Sequence, residues 1–113
     1  MIIQILKIIA AIATIITGVV SLFWPTKVPG FTGLEPRGGR GITEIRTILG
    51  ALFVGLGAAV IYFNSSEPYI VLGVTYLVMA VVRGVSIFVD QAPESSNIIS
   101  FVAELVLGII LVI

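Results

Sequence analysis

Neither cysteine nor histidine occurs in this 113-residue chain. Without cysteine there is no disulfide framework and no thiol nucleophile, and without histidine the commonest metal ligand and proton shuttle is missing. Charge is scarce as well. Only 11% of residues are charged, six basic against six acidic, so nothing supplies the basic face that a nucleic-acid partner requires. No Ser or Thr has a base partner other than a carboxylate, and no cluster has metal-ligand spacing. The sequence therefore points to no catalytic residue, no metal and no cofactor. What it has instead is apolar surface: hydrophobic residues make up 58% of the chain, and the mean hydropathy is +1.22.

That apolar content is concentrated in four runs, Ile2 to Phe23, Ile42 to Phe63, Tyr69 to Val89 and Ile98 to Ile113. Each reads as a helix, because a bilayer core of ~30 Å needs about 20 consecutive apolar residues. Strands are excluded, since the runs are solidly apolar and lack the alternation of a barrel, and lipid tolerates no open sheet edge. The prediction is an all-α fold, an integral membrane four-helix bundle in one domain over 1–113. The last run, at ~1.5 Å per residue, covers only about 24 Å and should end near the headgroups with little tilt. A cleaved secretory signal is the competing reading of the first run, with Ala11 and Ala13 mimicking a cleavage site. The run stays apolar through Phe23 and has no basic stretch ahead of it, which favours a retained helix.

The connections are unequal. Residues 24–41 form the long one, dense in Gly and Pro, which predicts a surface loop or cap without helix or strand. Asn64 to Pro68 reads as a tight hairpin, and in Asp90 to Asn97 the side chain of Ser95, Ser96 or Asn97 can cap the last helix. Four spans place both termini and the Asn64 turn on one side. Lys27, Arg37 and Arg40 lie in the long loop, with Arg46 and Arg83 toward the same face, against Lys7 alone on the terminal side, so the basic loop 24–41 is expected in the cytoplasm of a cell with a plasma or inner membrane. Lys7 and Gln4 can snorkel to the nearer surface.

Small residues recur every four positions in the second run, at Thr43, Thr47, Ala51, Gly55 and Ala59, a pattern that lets helices approach closely within the bundle or between copies of it. The charges are more specific. Arg83 lies six residues before the end of the third run and Glu104 six residues after the start of the fourth, so both sit ~9 Å below the same surface. A charge at mid-membrane costs roughly 2.5 to 3.5 kcal/mol, which predicts neutralising pairs. Arg83 with Glu104 is the expected central pair, extended by Arg46 and Asp90. Glu44 belongs to the same end but points almost opposite to Arg46.

The third run repeats a polar residue every seven positions, Tyr69, Tyr76, Arg83 and Asp90. One reading is a pathway across the bilayer. The other gives Tyr69 an interfacial role and lets Tyr76 bond a hydroxyl such as Thr14 or Thr17. Gly38 to Gly41, flanked by Arg37 and Arg40, could present N–H groups and charge to a phosphate headgroup, or be only a flexible basic connection.

Glu44, Arg46, Gly50, Leu52, Gly55 and Gly57, then Arg83, Ser86, Asp90 and Pro93, then Glu104, Leu105 and Gly108, resemble the DUF4345 family of small bacterial four-span membrane proteins. The likeness covers roughly residues 42 to 113, with little from the first run and the long loop. It implies a four-helix membrane bundle and marks Arg46, Arg83, Asp90 and Glu104 as matching polar positions; no activity comes with it. The expected role is non-enzymatic, an interaction subunit or a binder of a lipid or other lipophilic molecule. Its partners would be membrane lipids, a lipophilic small molecule, and further copies or a larger membrane complex. The alternative is an oligomeric ion or proton channel or transporter.

Overall fold

The computed structural model describes residues 1–113, and the chain is all-α. Five helices follow one another: α1 (Ile2–Phe23), α2 (Val28–Thr32), α3 (Gly38–Phe63), α4 (Ser66–Val89) and α5 (Ser95–Val112). All but α2 are long and apolar enough to cross a membrane. In the most apolar stretch of each, only 17% to 28% of residues are buried within the protein. Most of the apolar side chains therefore face outward, a surface that would associate in water but is the solvated one in lipid.

The helix boundaries depart from the sequence expectation where turn residues prove compatible with helix. The second span begins at Gly38 rather than residue 42, and the long connection holds a 3₁₀ turn, Pro25–Lys27, and α2. Both short elements have Pro in the first turn, where a missing N–H costs nothing. Gly33, at φ 73°, ends α2 in the left-handed conformation that glycine adopts freely. Within that connection only Trp24 and residues 33–37 lack regular structure. By the same logic α4 starts at Ser66 with Pro68 in its first turn, leaving Asn64 and Ser65 as the whole connection. At the far end of α4, Gln91 adopts φ 50°; its N–H donates to Phe88 O, and the Ala92 N–H donates to Ile87 O. This is the paired-bond stop that uses up the helix's last carbonyls. The last helix begins at Ser95, three residues before the predicted start, with Glu94 at the N-cap position and no side-chain cap. None of Ser95, Ser96 and Asn97 serves as that cap; Asn97 is used elsewhere, as described below.

The chain divides into two compact units, Ala11–Phe63 and the pairing of Met1–Ala10 with Asn64–Ile113. Within Ala11–Phe63 the close contacts of α1 with α3 are made by glycine. A Cβ added to Gly18 would lie 2.7 Å from Gly50 O, and one added to Gly57 would lie 2.8 Å from Ala11 O and 2.5 Å from Ile15 Cγ1. The four-residue stripe expected to make this contact does not: Ala51, Gly55 and Ala59 are exposed, and nothing lies within 4 Å of a Cβ on Gly55. A spacing of four drifts by about 40° at each step around an α-helix, whereas a spacing of seven drifts only about 20°, so Gly50 and Gly57 stay on one face and the stripe winds off it. Midway, Ile45–Ala51 is π-helical, with the Leu52 N–H donating to Thr47 O five residues back. Such a segment shifts the phase of every residue beyond it.

In the other unit α4 and α5 meet in the same manner. A Cβ on Gly73 would approach Gly108 O to 3.0 Å, and one on Gly108 would approach Gly73 O to 3.1 Å. Tyr69, Leu72, Tyr76 and Ala80 of α4 and Leu111 of α5 are buried around that crossing.

Candidate functional site

The crossing of α4 and α5 at Gly73 and Gly108 holds the two backbones together, and farther toward the α4–α5 turn it places an arginine opposite a carboxylate. Arg83 Nε donates to Glu104 Oε1 and Nη2 donates to Glu104 Oε2, both at 2.8 Å. The two planes are matched fork to fork, the strongest form of a charge-assisted hydrogen bond. Glu104 is 6% exposed, so it is a carboxylate whose cost of burial is offset by this single partner.

A third residue completes the arrangement. Arg83 Nη1 donates to Asn97 Oδ1 at 3.0 Å, and Asn97 Nδ2 donates to Ala92 O at 3.0 Å. Asn97 thus ties the guanidinium to the turn between the two helices and prevents it from rotating away from Glu104. From the sequence Asn97 was a candidate helix cap and not a member of the charged cluster. A signal was available, since Asn97, Glu104 and the buried Leu111 recur every seven residues on one face of α5, just as the polar residues do on α4.

The other expected members of the cluster lie elsewhere. Asp90 is the residue that closes α4; it is exposed and forms no ion pair. Seven residues carry it about 10 Å along the helix from Arg83, whose guanidinium is held at Glu104 and Asn97. Arg46 belongs to the unit Ala11–Phe63, where its Nε donates to Leu22 O at 3.2 Å. Leu22 stands in the last turn of α1, among the carbonyls that a helix leaves without partners, and a cation suits that end. Glu44 is paired with Arg40, one turn before it, at 3.0 Å on an exposed surface. Arg40 and Gly39 are accordingly in the first turns of α3 rather than in a free loop, and Arg37 is the residue preceding it.

A second polar group gathers at the opposite end of α4. Asn64, at φ 45° in the α3–α4 turn, accepts through Oδ1 from the Tyr69 hydroxyl at 2.9 Å and from Gln4 Nε2 at 3.2 Å. Tyr69 is 1% exposed, its ring enclosed by protein, and Lys7 packs its ammonium 6.0 Å from the centre of that ring. Lys7 is itself buried along most of its length; it lies against an aromatic face instead of extending freely to the surface. Tyr76 is buried between the two polar groups.

Comparison with known proteins gives one result. No curated protein and no solved structure matches the chain. A family model described as "Domain of unknown function (DUF4345)" matches residues 2–113. The match takes in α1 and the long connection, the segments in which the sequence motifs showed little likeness. With its four apolar helices and its bidentate pair inside the matched region, the chain belongs to the DUF4345 family.

Proposed function

We propose that this protein binds a lipophilic molecule within the membrane, without catalysing a reaction, and that Arg83 is where the polar part of that molecule is recognised. The observation that carries this reading is the state of the guanidinium. Three of its five N–H groups are engaged by Glu104 and Asn97, which fixes its plane, while the side chain keeps 32% of its surface exposed beside an open groove. A group held rigidly with donors to spare is arranged for recognition. A purely structural clasp gains nothing from the exposed donors. Proton conduction through this pair would need a carboxylate free to take and release protons, and both oxygens of Glu104 accept from Arg83.

Native mass spectrometry of the protein in mild detergent tests the reading. The unsubstituted chain should retain a lipid-sized adduct, and the double variant Arg83→Gln/Glu104→Gln should fold and lose it. Equal retention by the folded double variant would leave the pair a clasp alone.

We further infer that the loop carrying Lys27, Arg37 and Arg40 lies in the cytoplasm, because positive residues are retained on that side, and that four crossings then put both termini and Ser65 on the other. The chain has no native thiol to interfere. In intact cells an impermeant thiol reagent should label Ser65→Cys and spare Thr32→Cys; the reverse pattern would invert the topology.

A further inference from the structure

The groove beside Arg83 specifies what kind of polar group it takes, an inference that rests on the binding reading above. It has a volume of about 500 Å³ and is lined by Val78, Met79, Val82, Arg83, Ser86 and Asn97. Its polar inventory is weighted toward donors. Arg83 has two N–H groups left after those given to Glu104 and Asn97, and the Ser86 hydroxyl adds another donor. The strongest acceptors nearby are turned toward Arg83, since both Glu104 oxygens and Asn97 Oδ1 receive from it, which leaves the Ser86 oxygen as the remaining acceptor against the two free N–H groups of the guanidinium. A ligand suited to this groove therefore brings an acceptor for Arg83.

Charge decides which acceptor. Glu104 neutralises Arg83 at 2.8 Å, so an incoming anion meets a pair with no net charge and is repelled by the carboxylate as it is drawn to the guanidinium. At the hydrocarbon edge it must also give up part of its hydration. An uncharged carbonyl oxygen accepts the same N–H groups without either penalty.

Depth agrees. At 24 residues α4 is about 36 Å long, some 3 Å beyond a ~30 Å core at each end, which puts Arg83, ~9 Å from its helix end, about 6 Å inside the hydrocarbon edge. Extension of the side chain toward the surface brings its donors to that edge, where acyl esters join glycerol. A phosphate group lies farther out. Deeper along the same face, Val78 and Met79 present apolar surface for a chain.

We propose that the groove holds an uncharged acylglycerol, with an ester carbonyl accepting from Arg83 and the acyl chain lying along Val82, Met79 and Val78. Three probes added to the full chain in mild detergent and read by native mass spectrometry distinguish the outcomes: 1-monooleoylglycerol, its ether analogue lacking the carbonyl, and oleate. The ester should bind at least tenfold more tightly than either of the others. Val82→Trp, which fills the groove from an outward-facing position, should weaken the ester at least tenfold without lowering the unfolding temperature. Parity of ester and ether, or a preference for oleate, with binding still blocked by Val82→Trp, would overturn the carbonyl assignment and leave the broader reading standing. No binding of any probe, together with no co-purified lipid, would overturn both. Should Val82→Trp not fold, the ester–ether ratio in the unsubstituted chain decides: tenfold supports the assignment, parity ends it.

Discussion

Arg83→Gln should lower the stability of the folded protein in detergent by about 3–5 kcal/mol, Glu104→Gln by less, and the double variant by less than Arg83→Gln alone. The order follows from burial. Loss of Arg83 strands a carboxylate that is 6% exposed and has no other cation to accept from. Loss of Glu104 strands a guanidinium that still holds Asn97 and can turn its exposed third outward. In the double variant both charges are gone, and the two amides can bond each other across the α4–α5 crossing. A double-mutant cycle on chemical unfolding measures the coupling. If the two single losses simply add, the 2.8 Å contacts contribute no interaction energy, and the groove loses the rigid donor on which the binding argument rests.

Gly57→Ala should destabilise by about 2 kcal/mol, whereas Gly55→Ala should be neutral or slightly stabilising. Overpacking a tight contact costs typically 1–3 kcal/mol, against a gain of up to ~1 kcal/mol from replacing glycine in a helix. At Gly57 the new methyl meets the Ala11 carbonyl oxygen at 2.8 Å, and backbone cannot move aside as a side-chain tip can. At Gly55 it meets nothing, so only the helix gain remains. Thermal unfolding of the two variants side by side is the measurement. Equal effects would mean that α1 and α3 do not approach through Gly57, and that the four-residue stripe is as good a description of the contact as the seven-residue one.

These two pairs of positions also mark what could be read from residues alone. Arg83 and Glu104 were legible because depth in a membrane helix is a count of residues, and two charges at equal depth on successive antiparallel helices are driven together by the cost of leaving either alone. Asn97 could have been found from its seven-residue spacing to Glu104. Asp90 was overextended into the cluster because a shared helical face says nothing about distance along the axis. Arg46 could not be assigned from its own neighbourhood, since its partner is a backbone carbonyl of Leu22, 24 residues earlier, and every residue type has that carbonyl. The choice between Gly55 and Gly57 depended on helical phase, which the π-helical stretch Ile45–Ala51 alters and which no composition rule for glycine encodes.

The sequence by itself determined the solvent and the secondary structure. Runs near 20 apolar residues admit only helices in a medium without water, because every backbone donor and acceptor must then be satisfied inside its own segment. It also implied that a buried charge would find a partner, which Glu104 has in Arg83 and Lys7 in the Tyr69 ring. Tertiary structure alone decided which glycines carry the close contacts, which arginine ends a helix and which faces a groove, and which donors are left over once the pair has formed. Those outcomes depend on rotations of a few tens of degrees and distances of a few ångströms between segments remote in the chain, and the local preferences written in the residues are too weak to set them before the helices pack.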